Sequence, residues 1–260
     1  VTTSHIDLDI AVYTIGSVSD NRHWLYKGQR YDSKSQLNKQ LKKDGVDESA
    51  IETAIEPDEW EKVKESLCTF YDNLESYLGC DCQGYISGKG NFRYQVATIL
   101  PYKGNRDGNE KPFYYDAIRQ FFVDIYGAKL SSGMEADDAI GLATDPEEDI
   151  IVTIDKDLDC IPGVHYNWNR LDCYYVSELD ANRHFFKQVL VGDKTDNILG
   201  LFGVGNESQL VKNVYQMQTV EEMRDYVINE YRRRFGSHWS LFYEETCSLV
   251  WILQRRQCPK

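Results

Sequence analysis

Apolar residues recur at helical spacing along much of the chain and run almost unbroken in one short stretch. From Trp60 to Leu78, the positions Val63, Leu67, Phe70, Leu74 and Leu78 share one face of a 3.6-residue repeat, which predicts a long amphipathic helix. Ile118, Phe121, Phe122 and Ile125 predict a second helix over Tyr114–Tyr126, after Lys111-Pro112, and a third is expected over Glu135–Ala143. In the charged stretch Trp24–Glu65, Leu37/Leu41 and Ile51/Ile55 are each spaced i, i+4. They predict two modest helices, broken at Asp44-Gly45 and ended near Pro57. Asp149–Ile154 (DIIVTI) is nearly continuous in apolar character, as a buried parallel strand is. Ile10–Val12 with Tyr13 predicts a short first strand or its exit, Tyr94–Leu100 another strand, and Ser208 onward a helical end. Helix and strand alternate, so the expected fold class is α/β, with a central mostly parallel sheet flanked by helices. No repeat, low-complexity tract or long linker divides it, and one domain is expected over 1–260.

Composition narrows this picture. At 42% hydrophobic and 27% charged over 260 residues, the chain can bury a sizeable core. No apolar run approaches the ~18 residues of a membrane helix, so no membrane partner is expected. The opening Val1–Asp9 is polar and then acidic, unlike a secretion signal, and a cytoplasmic protein is expected. The cysteine count is odd, seven, and no CxxC or neighbouring His pair has zinc spacing, which favours reduced thiols. With 29 basic and 42 acidic residues the net charge is −13, which at first argues against nucleic acid, because phosphate repels acid. The position of the acids matters more than their total.

Those acids fall at predicted element ends. Asp7 and Asp9 are two apart and face one side of an extended segment. Glu135, Asp137 and Asp138 (MEADDAIG) open a helix. Asp155, Asp157 and Asp159 (TIDKDLD) follow the DIIVTI strand at its carboxyl end, where α/β sheets place ligands. Asp193 and Asp196 (VGDKTDN) follow the apolar run Val189–Val191. Singly, each group has an ordinary explanation: acids at a helix start are worth ~0.3–1 kcal/mol against the macrodipole, and acids after a strand form turns. Brought to one rim, they would repel strongly unless cations sat between them. Hard oxygen ligands suit Mg²⁺ or Mn²⁺, and two such ions can clamp a phosphodiester for in-line displacement. Tyr102-Lys103-Gly104-Asn105-Arg106 offers two bases for a phosphate and a ring for a nucleobase. In Ile198–Gly205 (ILGLFGVG), Gly200, Gly203 and Gly205 permit close backbone approach to a phosphate.

The segments GMEADD, TIDKDLD and GDKTDNILGLFGVG, in this order and preceded by YKGNRD, resemble the flap endonuclease and phage 5′-to-3′ exonuclease family, which includes the 5′-nuclease domain of bacterial DNA polymerase I. The likeness covers roughly Ile86–Leu210, with a weaker match at Asp7. It implies a PIN-like 5′-nuclease fold, with a catalytic core over about 1–197, a charged helical insertion over about 20–65, a helix-turn-helix variant over about 198–215 and a helical part over 216–260. It implies that Asp7, Glu135, Asp137, Asp138, Asp155, Asp157, Asp193 and Asp196 hold two or more Mg²⁺ or Mn²⁺ ions, and that Lys103 and Arg106 act on the scissile phosphate. Tyr102, Arg93, Gly200, Gly203 and Gly205 would contact DNA, with K⁺ on the carbonyls of the glycine segment. The implied activity is metal-dependent hydrolysis at DNA 5′ ends, flaps and overhangs by a monomer, in phage replication or recombination and in the host cytoplasm if phage-encoded.

The chain departs from the family pattern in four places. Ser87 or Gly88 stands where an acid usually precedes the Phe-Arg pair, here Phe92-Arg93. Asn206-Glu207 follows Gly205 where a base is usual. Asp107–Ser132 is short for a helical arch, and Trp24–Glu65 has no counterpart; its basic half reads as a DNA contact or as a solvated helix face. Two other readings stay open: a PIN-like ribonuclease, and a DNA-junction binder without catalysis.

Overall fold

The computed structural model describes residues 2–47, 51–106 and 110–260. At its centre, β1 (Thr3–Asp7) lies between β5 (Asp81–Lys89) and β7 (Ile150–Val152) and is parallel to both. Beyond β5 lies β6 (Lys129–Ser132), and beyond β7 lies β8 (Gly163–Asn167), again parallel; β9 (Asp172–Val176) closes that edge antiparallel to β8. The carboxyl ends of the parallel strands therefore share one rim, and β1 marks the point where the strand order diverges, the place at which such sheets form a crevice. This is the expected α/β class.

The first strand sits earlier than the apolar run suggested. Ile10–Val12 belongs to helix α1 (Leu8–Ser19), whose Leu8, Ala11 and Val12 are buried at helical spacing. β1 is interior despite its polar letters because those side chains are satisfied there: His5 bonds Asp149 at 3.1 Å and Tyr85 at 3.0 Å. The strand expected at Tyr94–Leu100 is instead the short helix α4 (Arg93–Val96), followed by an irregular segment in which Glu245 accepts the amides of Thr98 and Ile99 at 3.0 and 2.9 Å. The strand of that region is β5, whose pattern is blurred by Gly84 and Gly88; a Cβ on Gly88 would stand 2.0 Å from the Ser131 carbonyl oxygen of β6.

Helices cover both faces. On one, α1 packs with α3 (Trp60–Leu78) and α5 (Tyr115–Tyr126) around Ile6, Leu67, Ile86, Ile118, Phe122 and Val152. Both of those helices match the periodicity of the sequence, and both end on a glycine in the left-handed region, Gly79 and Gly127. On the other face α6 (Ala136–Ala143) covers Tyr85 and Ile151. A separate helical core joins α7 (Glu178–Val191), α8 (Gln209–Gln216), α9 (Val220–Phe235) and α10 (Trp239–Val250) around Phe185, Val189, Val214, Val227 and Tyr231. Between α7 and α8, a two-residue ladder pairs β10 (Gly192–Asp193) with β11 (Ile198–Leu199).

The charged insertion is only half helical. α2 (Lys34–Asp44) forms where Leu37 and Leu41 predicted it. The second expected helix lies partly outside the described residues, and among those described Glu52–Ala54 is instead strand β4, which pairs with β2 (His23–Tyr26), and β2 in turn pairs with β3 (Gln29–Tyr31). Tertiary pairing outweighs an i, i+4 spacing supported by only two apolar residues. No helix among the described residues is long and apolar enough to cross a membrane, and all seven cysteines are free thiols.

Candidate acidic cleft

The rim above β1 opens into a cleft of about 870 Å³. Its floor is set by strand ends and helix starts. Asp7 ends β1 and caps α1, accepting from the Ile10 amide at 3.5 Å and from Thr153 Oγ1 at 3.0 Å. Thr153 Oγ1 in turn accepts from the Asp155 amide at 2.9 Å, so one hydroxyl fixes the spacing of two acids on neighbouring strands. Asp155 caps the 3₁₀ turn Lys156–Cys160 by accepting from the Asp157 amide at 2.9 Å. Asp157 accepts from Gln188 Nε2, on α7, at 2.9 Å. Asp137 enters from the first turn of α6.

These four acids crowd one another, and the nearest basic side chain that relieves them, Lys187, eases only Asp157 without pairing with it. None of them makes an ion pair with a described residue. Burial and then the charge of Asp9 raise the Asp7 carboxyl to about 7. Burial followed by Asp155 takes Asp157 to about 7 as well. Asp137 is held well above the ordinary carboxylate range by burial and by Asp7 and Asp155. Asp155 is also raised, by burial first, with repulsion from Asp193 and Asp196 added.

The outer wall is different. Glu135 caps α6, and Asp196 follows Asp193 in the turn after β10. Lys103 Nζ contacts Glu135 and lies 3.7 Å from Asp196, while Arg106 contacts Asp196. The loop is tied down by its backbone: the Lys103 amide donates to the Asp196 carbonyl at 2.8 Å. Asp193 accepts from the Thr195 amide at 2.7 Å and from the Asp196 amide at 3.4 Å. Tyr102 is 4% exposed, with its hydroxyl 2.7 Å from Asp196 and 2.9 Å from Glu135. It is a tether between two acids with its ring in the helical core, not a free stacking surface. The ring that meets solvent beside it is Tyr94, 60% exposed.

The structure brings Asp7, Glu135, Asp137, Asp155, Asp157, Asp193, Asp196, Lys103 and Arg106 to this one cleft. Asp138 is not among them. It is fully buried and grips Arg93 through two hydrogen bonds of 2.6 and 2.9 Å, while accepting from the Leu253 amide at 2.9 Å. Arg93 is 3% exposed and also donates to the carbonyls of Leu249 and Trp251 at 2.9 and 2.7 Å. This bidentate pair clamps the carboxyl-terminal tail, so Asp138 as a metal ligand and Arg93 as a DNA contact are both corrected: their polar atoms are used up inside. Gly200 is likewise a packing residue, since a Cβ there would stand 2.3 Å from the Gly192 nitrogen. Gly203, with a φ of +77°, turns at the surface, and Gly205 lines the cleft.

Sequence reasoning misplaced one participant and missed others. Asp9 lies in the first turn of α1, not on an extended segment, and lines the cleft. It accepts from the Ser87 amide at 2.9 Å and from Arg119 at 3.1 Å. Ser87, standing where an acid was expected, accepts from the Ala136 amide at 2.9 Å and so helps cap α6. Gln188 carried no motif; only its place in the last turn of α7 brings it to Asp157.

The donor set is all oxygen, recessed and short of positive charge, which fits hard divalent cations. Among the described residues, no three acidic, His or Cys side chains already converge as a finished ligand set. No protein-family model and no curated protein matches this chain. Solved structures do. The T5 D15 protein co-crystallized with metal ions matches over 96% of this chain and 89% of that one, at 16% identity and a TM-score of 0.53. The bacteriophage T5 D15 flap endonuclease, in a pseudo-enzyme–product complex with DNA and metal ions, matches over the same shares at 15% identity and a TM-score of 0.58. At that identity the likeness is one of fold: a mostly parallel sheet flanked by helices.

Proposed function

We propose that this protein hydrolyses phosphodiester bonds at DNA 5′ ends and single-strand/double-strand junctions, using divalent ions held by the cleft. One observation carries the reading: four recessed carboxylates, Asp7, Asp137, Asp155 and Asp157, face one cleft at the sheet's carboxyl rim without a basic partner among the described residues. Glu135, Asp193 and Asp196 complete the donor set from the outer wall. Divalent ions bound there would supply a water of lowered pKa and charge stabilisation at the phosphate.

The chain's own groups do the rest. The Thr153 hydroxyl sets the spacing of Asp7 and Asp155, and Gln188 orients Asp157. Lys103 and Arg106 stand on the wall nearest solvent, where a phosphate entering the cleft meets both cations. Among the described residues that line the cleft none is a histidine, so in this reading proton removal falls to carboxylates and water. The glycine turn at Gly203 and Gly205 offers backbone at the cleft mouth to a duplex.

The test is product mapping on a 5′-labelled flap duplex with Mg²⁺ or Mn²⁺, beside an EDTA control and a single-stranded RNA arm. Mononucleotides or a released flap, lost in EDTA, are the expected result. Undiminished turnover in EDTA would remove the metal mechanism, and cleavage of RNA alone would replace DNA as the substrate.

A further inference from the structure

The insertion between α1 and α3 is a small module with its own core of Tyr26, Leu37 and Leu41 under Trp24 and Tyr31. The cleft does not use it. Its helix α2 carries four lysines and one aspartate, a net of +3 in a chain of −13. Lys39, Lys42 and Lys43 are exposed, and with Ser35 and Gln36 they share the side of α2 opposite the buried Leu37 and Leu41. Elsewhere in the module, Lys27 pairs with Asp44 and Arg30 with Asp32 and Glu56. Lys39, Lys42 and Lys43 pair with no acid among the described residues. The macrodipole accounts for lysines in the last turn, Lys42 and Lys43, but not for Lys39 a turn earlier.

The module's position matters as much as its charge. α1 begins in the cleft and ends about 18 Å away at Ser19, where the module is attached. The amides of Asp58 and Glu56 donate there to the carbonyls of Ser19 and Asp20 at 2.8 and 3.1 Å. Asp20 also accepts from the Phe113 amide at 2.8 Å, and Arg22 pairs with Glu110 at 2.5 Å. The chain that leaves the cleft at Arg106 thus reaches the module's foot within a few residues. Aromatic and basic groups mark the way: Tyr115 lines the cleft with Lys111 4.3 Å over its ring, and Phe113 is 62% exposed. Rings interleaved with lysine suit a single strand, in which any base can stack and every phosphate attracts a cation.

We infer that the module is a nucleic-acid platform: Lys39, Lys42 and Lys43 hold the phosphates of a single strand that runs out of the cleft past Tyr115 and Phe113. The inference rests on the proposed nuclease reading. It is tested in an Asp155→Asn background with Mg²⁺, which keeps the probe intact, by adding Lys39→Ala, Lys42→Ala and Lys43→Ala together. Binding is followed by anisotropy against salt, on a duplex with a 20-nucleotide 5′ tail and on the same duplex without one. On the tailed probe, the triple change should weaken binding about ten-fold and reduce the slope of log K on log salt by about 2, close to 0.7 for each lost contact. Arginine at the three positions should restore both, and the untailed probe should be unaffected. An unchanged slope on the tailed probe overturns the platform and leaves α2 to a protein partner or to solvent; equal loss on both probes overturns its preference for a single strand. If the Asp155→Asn protein melts as the unchanged protein does yet binds neither probe, the nuclease reading fails and the platform falls with it.

Discussion

The floor and the outer wall of the cleft carry the same kind of group and hold it in opposite ways. On the floor, Asp7, Asp137, Asp155 and Asp157 are recessed, crowd one another and are pushed toward the protonated state. On the wall, Glu135 and Asp196 are already engaged by Lys103, Arg106 and the Tyr102 hydroxyl. The floor therefore stores repulsion that a cation relieves, whereas the wall stores attraction that a cation must displace. If divalent ions load this cleft, the floor is the place of first binding, and filling the wall frees Lys103 and Arg106 for the substrate.

The comparison breaks most sharply on the floor. Replacing Asp155 by Asn should lower the single-turnover cleavage rate at least about 100-fold, near 2.7 kcal/mol of barrier, because a metal-holding carboxylate is lost. DNA binding by the same variant should persist or tighten, since a repelling charge is removed. Parallel loss of binding and cleavage together with a lowered melting point would mean that Asp155 holds the fold rather than the ion.

Next in size is a dependence on pH. Asp7 and Asp157 are raised to about 7 from the ordinary carboxylate value of 3.8. An acid raised in the folded state binds its proton more tightly there than in the unfolded chain. Its contribution is therefore present at low pH and is lost as pH climbs through about 4 to 7. The metal-free protein should lose stability on the order of a few kcal/mol between about pH 4 and 7. Added Mn²⁺ should reverse the loss, with a gain that grows with pH because ions and protons compete for the same oxygens. Thermal melts across that range, with and without Mn²⁺, decide it; a metal-free midpoint that rises with pH contradicts the crowding on the floor.

Much of the floor could be read from the chain because it depends on local order. A short apolar run followed by Asp155 and Asp157, and a helix opened by Asp137, place their acids by secondary structure alone. The wall could not be read that way. Whether Tyr102 stacks or tethers depends on what it packs against, and Phe185, Val189 and Tyr231 lie more than eighty residues downstream. Asp137 and Asp138 are adjacent, yet one opens to the cleft and the other is buried against Arg93, a difference set by a partner forty-five residues away. β1 failed to announce itself for a related reason: its His5 is made tolerable inside only by Asp149 and Tyr85. Strand β4 failed because its reason to exist is its ladder with β2.

Lys103 sharpens the comparison from the wall side. If Lys103 neutralises Glu135, removing it should expose that acid, and Lys103→Ala should bind Mn²⁺ more tightly in the absence of nucleic acid, by about 1 kcal/mol or five-fold. The same variant should cleave more slowly, because the phosphate loses a cation. Calorimetric titration and single-turnover rates thus move in opposite senses. A lysine that served the substrate alone would leave the metal affinity where it was.

The finest test concerns Tyr102. Its hydroxyl has one hydrogen and lies within bonding distance of two carboxylates, Glu135 and Asp196. The single hydrogen serves one of them, and the other oxygen faces the phenol oxygen relieved only by Lys103 and Arg106. Burial and the two acids together push the phenol's own pKa up, so the tyrosine keeps its hydrogen throughout the physiological range. Tyr102→Phe keeps the ring in the helical core and deletes only the tether, so stability should change little. Metal affinity should shift less than about three-fold, because the lost hydrogen bond, worth ~0.5–1.5 kcal/mol, is partly offset by removing the unrelieved contact. Nucleic-acid binding should be unchanged. A tyrosine that stacked on a nucleobase would also tolerate Phe, so the discriminating variant is Tyr102→Leu: a stacking role predicts lost DNA affinity at unchanged stability, whereas a core tether predicts a lowered melting point first.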